Sequence, residues 1–159
     1  MRQYDVVIAG GAMAGATLAL AIEHLSQAAL RIAVVEPFKA QSDAHPGFDS
    51  RSIALSYGTV NLLRQLQLWS AIEPFTTPIE HIHVSDRSHA GMTEITKQEV
   101  GVEALGYVVE LADVGRVYQE LLTRSISIDF FCPDSVTYIE REQAHTMVEL
   151  SSGEKLEAK

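Results

Sequence analysis

The chain has one cysteine, Cys132, among its 159 residues. That excludes an internal disulfide and a cysteine-built zinc site, and it fits a reducing compartment. Positive charge is scarce too: 12 Lys and Arg stand against 21 Asp and Glu, for a net charge of −9. With no basic stripe to meet phosphates, nucleic acid is not an expected partner. No apolar run approaches the roughly 18 residues that a membrane-spanning helix needs. The chain passes from Met1-Arg2-Gln3 straight into a strand, so no signal peptide is expected and a cytoplasmic location is. Repeats and low-complexity tracts are absent. Apolar residues make up 47%, enough to build a buried core and to make disorder a poor reading. The length suits one domain, or most of one.

What the chain does have is concentrated in residues 4–36. Val6 to Ala9 is a continuous apolar run, as a buried parallel strand requires. Gly10-Gly11-Ala12-Met13-Ala14-Gly15 follows, then a helical stretch, then Arg31 to Val35 as a second apolar strand ending at Glu36. Strand, Gly-rich turn, helix, strand and acid, in that order, form the dinucleotide-binding βαβ unit. The turn offers backbone N–H groups to a pyrophosphate at a helix N-terminus. Glu36, about 20 residues on, is placed to accept hydrogen bonds from an adenosine ribose. One position departs from the pattern G-x-G-x-x-G: its second glycine is Ala12. A methyl there is expected either to crowd the pyrophosphate or to widen the turn.

Beyond Glu36 the pattern changes. Ala14, Leu18, Ala21, Ile22 and Leu25 predict the apolar stripe of the first helix, with Gly15, Ala16 and Ala19 letting it lie close to a sheet. Pro37 to Ser50 reads as a long loop, a length that is often functional. A helix is predicted over about 56–68, with Pro74 and Pro78 preventing its continuation. Strands are predicted over 79–86, 91–100 and 106–111. Then come a helix over 112–124 and strands over 126–131, 135–142 and 146–150, with a turn at Ser151-Ser152-Gly153. The fold class is therefore α/β: a Rossmann-like nucleotide-binding domain, 1–159, with a βαβ unit at 4–36 and inserted β-strands at about 79–111.

Four stretches carry a family resemblance: Ala9 to Leu20, Ala44 to Leu55 (with Phe48-Asp49-Ser50-Arg51-Ser52 at its centre), His83 to Gly91, and Leu105 to Leu111. On these the chain resembles the N-terminal part of the class A flavin-dependent aromatic hydroxylases, and within them the ubiquinone-biosynthesis group. The resemblance covers essentially all of this chain but only about the first two-fifths of the family's usual length. It leaves the domain incomplete relative to the family, whose downstream segments close the flavin site. It implies FAD as cofactor, NADPH or NADH as co-substrate, and a prenylated phenol and molecular oxygen as substrates. It also implies that this portion alone is inactive. Other ubiquinone-biosynthesis proteins are implied partners, and so is a peripheral contact with the inner membrane.

The cofactor-binding candidates are Gly10, Gly11, Ala12, Gly15, Glu36, Arg51, Ser52 and Glu110. Arg51 matches an arginine that the family holds near the flavin's phosphate or ribityl chain, and a guanidinium suits a phosphate. Ser52 offers a hydroxyl beside it. Glu110 ends a strand at a junction that the family places near the flavin. Asp49 either orients Arg51 or is a loop acid, the second reading being favoured, and Asp113 reads as an acid favouring a helix start. No catalytic side chain is assigned, since in such enzymes the flavin carries the reaction. His81 and His83 share one strand face but lack a third ligand, so no metal site is expected. Cys132 reads as a packed residue and not a nucleophile. Two other readings stand beside this one: an FAD-dependent oxidase or dehydrogenase on the same scaffold, and a non-catalytic domain that binds no nucleotide.

Overall fold

The computed structural model describes residues 1–39, 45–85 and 91–159. Residues 40–44 of the predicted loop, Asp86 of the predicted strand and residues 86–90 of the third resemblance stretch lie outside the described residues. Along the chain run β1 (Arg2–Tyr4), β2 (Val6–Ala9), α1 (Met13–Ser26), β3 (Ile32–Val35), β4 (Ser52–Ser56), α2 (Tyr57–Gln65) and α3 (Trp69–Ile72). These are followed by β5 (Thr76–Ile79), β6 (His81–Ser85), β7 (Met92–Thr96), α4 (Lys97–Val100), β8 (Gly106–Glu110) and α5 (Leu111–Arg124). The last strands are β9 (Ile128–Phe131), β10 (Val136–Arg141), β11 (Thr146–Leu150) and β12 (Lys155–Ala158). The chain divides into two compact units, Met1–Arg51 with Leu111–Lys159, and Ser52–Glu110.

The first unit holds a parallel sheet in the order β2-β3-β9. β3 is central and all four of its residues are buried. Its run Ile32-Ala33-Val34-Val35 has no polar position because both faces of the strand are covered. Burying Ile32, Val34 and Val35 stabilises the unit by roughly 1.5–3 kcal/mol each. A second sheet, β1-β12-β11-β10, contributes Val148, Leu150 and Leu156 to a shared cluster with Tyr4, Ala33 and Val35.

α1 is present as predicted, but its buried face differs. Ala16, Ala19 and Leu20 are buried, whereas Leu18 and Leu25 are 51% and 74% exposed. The helix packs on β2, β3 and α5 through its small side chains, and close approach wins over bulk. Thr17 donates to the hydroxyl of Tyr118 on α5 at 3.0 Å. β1 and β12, which the sequence reading missed, pair with each other in parallel.

The second unit holds the antiparallel sheet β4-β8-β5, with β8 central, and the ribbon β6-β7. β4 lies between the predicted loop over 37–50 and the helix predicted from about 56, where no strand was expected. Pro78 sits in β5, an edge strand, where its missing N–H breaks no interior ladder. Trp69 packs edge-on against Tyr107, ring centres 4.8 Å apart. The strand predicted over 91–100 stops at Thr96, because Thr96 and Glu99 form a capping box that starts α4.

Two expectations follow for the first unit. Gly115 on α5 faces buried Phe48, and a Cβ at 115 would stand 2.4 Å from Phe48 Cγ and 2.7 Å from its Cβ. Ring rotation cannot clear a contact that close to the backbone. Gly115→Ala gains about 1 kcal/mol of helix propensity and loses about 1–3 kcal/mol to overpacking; a lowered denaturation midpoint is the expected net result. Asp134 accepts from Ser151 Oγ at 2.6 Å and from the Ser135 and Ser152 amides at 2.8 and 3.2 Å. The Ser151 and Ser152 hydrogen bonds, the largest causes, hold its pKa down from 3.8 to about 2. Its contribution is therefore present above pH 3.8 and is lost as the pH falls through about 2. Asp134→Asn should be less stable than the unaltered chain at neutral pH, and the gap should narrow over that acid window in denaturation curves taken at stepped pH.

Candidate functional site

The Gly-rich turn begins where β2 ends. Gly10 adopts φ +103°, a conformation that side chains rarely tolerate, and its N–H donates to Val35 O at 2.8 Å. Gly15 needs to be glycine for space: a Cβ there would lie 1.8 Å from Gly10 O. Ala12 is the N-cap of α1 with φ −72° and ψ −168°, an ordinary extended conformation. Alanine at this position therefore imposes no backbone strain. α1 has no side-chain cap and no acid in its first turn. A helix with its first N–H groups uncapped is suited to an anion.

Glu36 follows β3 and is 4% exposed. Its Oε2 accepts the Gly11 N–H at 2.7 Å and its Oε1 accepts the Phe38 N–H at 2.9 Å. Its own N–H donates to Phe131 O, and its carbonyl accepts from the Asp134 N–H. The acid thus joins the turn to the end of the sheet.

The Arg51 guanidinium is exposed. Its Nε reaches Asp49 Oδ2 at 2.7 Å, and its Nη2 donates to Pro46 O at 3.1 Å. Asp49 is therefore not a free loop acid. It orients Arg51, and that hydrogen bond holds the Asp49 carboxyl below its ordinary range.

The remaining candidates separate by unit. Gly10, Gly11, Ala12, Gly15, Glu36 and Arg51 belong to the first unit. Ser52 and Glu110 belong to the second, opposite each other in the β4–β8 pair, and both are exposed. Asp113 lies in the first turn of α5 and pairs with Arg116 at 2.7 Å. His81 and His83 are exposed on β6, and His81 lies 3.9 Å from Glu94. Among the described residues no group of three or more His, Cys, Asp or Glu is placed to hold a metal. No helix among them is long and apolar enough to cross a membrane.

The sequence reading missed His45 and Gly47. His45 is 2% exposed, with Nε2 3.4 Å from Glu36 Oε1. A Cβ on Gly47 would fall 2.7 Å from Ala12 Cβ, so this part of the loop packs against the Gly-rich turn. The pair His45-Pro46 before Gly47 was the only signal: an imidazole next to two turn-formers.

The fold defined by these elements is that of the flavin-dependent monooxygenases. The flavin-dependent monooxygenase PieE, solved with FAD and substrate, superposes with a TM-score of 0.74 at 15% identity, over 98% of this chain and 29% of that one. In sequence the chain is related to ubiquinone hydroxylases. It is 27% identical to the 3-demethoxyubiquinol 3-hydroxylase of Escherichia coli over 156 residues, 98% of this chain and 39% of that protein. It is 25% identical to the ubiquinone hydroxylase UbiL of Rhodospirillum rubrum over 155 residues, 98% of this chain and 35% of that protein. No family model matches the chain. The chain thus spans about a third to two-fifths of the length of the curated relatives it matches.

Cys132 reports on Glu36. Its Sγ donates to Phe38 O at 3.3 Å. Burial, and then the negative charge of Glu36, push the thiol above its ordinary pKa, against a smaller opposing effect of Lys39. Glu36→Gln removes that charge, so alkylation of Cys132 by iodoacetamide near pH 8 should speed up, because the thiolate is the reacting form. An unchanged rate in a folded Glu36→Gln chain would show that the two groups are not coupled.

Proposed function

We propose that this chain is the adenosine-binding portion of an FAD-dependent hydroxylase of ubiquinone biosynthesis. The whole protein would hydroxylate a prenylated methoxyphenol with molecular oxygen, and NADPH or NADH would supply the electrons. FAD, when bound, supplies the redox and oxygen-activating chemistry of such a reaction. What the chain's own residues contribute is binding and orientation.

One observation carries the reading. Glu36 is fixed on the Gly11 amide at the end of a buried parallel strand, beside an uncapped helix N-terminus. An acceptor and an anion site side by side suit the ribose and pyrophosphate of an adenine dinucleotide. Arg51, oriented by Asp49, would supply a cation for the cofactor's phosphate or ribityl chain. The resemblance places further flavin-site segments downstream, so the chain alone is expected to bind without turnover. Contact with other ubiquinone-biosynthesis proteins and with the inner membrane belongs to this same proposal.

The test is an FAD titration of the chain followed by flavin fluorescence, with Ala12→Gly, Glu36→Gln and Arg51→Ala beside it. Saturable binding is expected, unchanged within about twofold in Ala12→Gly and weakened about tenfold in Glu36→Gln and in Arg51→Ala, each of which removes one charge-assisted contact. Absence of saturable binding in every form would refute the assignment for this chain. In the whole protein, NAD(P)H consumption that leaves the phenol unhydroxylated would favour an oxidase.

A further inference from the structure

His45 is almost fully buried, yet its Nε2 has no hydrogen-bond partner. Its other nitrogen is fully engaged: Nδ1 accepts the amide N–H groups of both Gly47 and Phe48, each at 3.0 Å. A ring nitrogen that accepts two amides carries no proton, so the neutral ring must bear its proton on Nε2. The ring is held between Phe38 and Phe48, with ring centres 5.9 and 4.8 Å away. The backbone and these two aromatics therefore aim one N–H in one direction. Glu36 Oε1 stands 3.4 Å from that nitrogen, close enough for its charge to act on the N–H but outside hydrogen-bond geometry. Glu36 is the titratable group paired with it, and the other side chains lining the adjoining void of about 10 Å³ are Phe38, Phe48, Gln119, Leu122 and Phe130.

We infer that His45 is a positioning residue for the nucleotide site, acting through Glu36. Its Nε2–H lies beside the carboxylate and biases it electrostatically, while the Gly11 and Phe38 amides hold it by hydrogen bonds. The inference rests on the reading of Glu36 as the acceptor for a ribose hydroxyl. It assigns a role to a buried donor that otherwise has none. It also gives the segment 45–51 a second task, because the turn closed on His45 Nδ1 leads directly into Asp49 and Arg51.

The experiment uses ADP as the probe and isothermal titration as the readout. In His45→Asn the side-chain oxygen can still accept the Gly47 and Phe48 amides, as asparagine does in turns, but nothing stands where Nε2 was. In His45→Gln an amide N–H can reach toward Glu36. His45→Asn should weaken ADP binding about tenfold, and His45→Gln should recover most of that loss. In a Glu36→Gln background His45→Asn should cost nothing further, since the two act as one unit. Equal losses in both backgrounds would overturn the inference. So would a failure of His45→Gln to recover binding while circular dichroism shows it folded.

If the unaltered chain binds no ADP, the functional reading fails, and the pair is then judged by itself. Nitrogen-15 spectra of the nucleotide-free chain should show His45 as the neutral tautomer protonated on Nε2, with the Nε2 signal moving in Glu36→Gln. A proton on Nδ1, or an Nε2 signal indifferent to Glu36→Gln, would overturn the pairing.

Discussion

A carboxylate taken out of water has to be satisfied by the groups around it, and the first unit is organised about how Glu36 meets that demand. Stripping an ion of solvent costs several kcal/mol unless hydrogen bonds replace the water. Two backbone amides do so, one from the Gly-rich turn and one from the residue two places on. The main chain of the same residue extends the sheet by bonding Phe131 and Asp134. Three segments far apart in sequence thus converge on one residue: the turn at 11, the loop after 36, and the connection after β9. Disturbing the turn or the loop leaves a buried charge short of a partner, and disturbing the connection loosens the main chain that carries it. A βαβ unit built in this way presents its acid in a single place.

This convergence explains which parts of the fold were legible. β2 and β3 are continuous apolar runs, and β3, covered on both faces, has no other way to look, whereas β9 carries Asp129 among its apolar residues. α5 shows a clear apolar side, with Val114, Val117 and Leu122 buried as its spacing predicts. α1 is apolar nearly all round, so periodicity could not choose a face. The choice was made by the sheet and α5, which admit Ala16 and Ala19 but not Leu18. β1 and β12 are three and four residues long and pair with each other across almost the whole chain. Neither has a local pattern strong enough to declare itself. α4 was legible and was missed: Thr96-x-x-Glu99 with Gly101 behind it spells a capped turn of helix, and the Thr-rich run before it hid the boundary.

The candidate site divides along the same line. Glycines needed for conformation or space, such as Gly10 and Gly15, announce themselves by spacing, because the chain must turn sharply between a strand and a helix. Asp49 and Arg51 are two residues apart, and sequence could not say whether such neighbours meet; the loop folds so that they do. His45 was beyond reach for a different reason. A buried histidine looks like an exposed one in sequence, and its tautomer depends on two amides that only the folded turn brings to it.

Ala12 is best understood together with Gly47. In the pattern G-x-G-x-x-G the second glycine lets a pyrophosphate come close to the backbone. Here that position carries a methyl group, and the methyl is in contact with the chain's own loop, at a residue that has no side chain. With φ −72° at residue 12, the backbone does not ask for glycine. The space that glycine would have left at 12 is instead left at 47, so room for the methyl comes from the residue across from it. Glycine at 12 would remove a packing contact and relieve no strain. A side chain at 47 would collide with the turn and press on the loop that carries His45 and Arg51. The two positions form one steric unit, and the departure from the nucleotide-binding pattern at Ala12 is tied to the loop that orients the rest of the site.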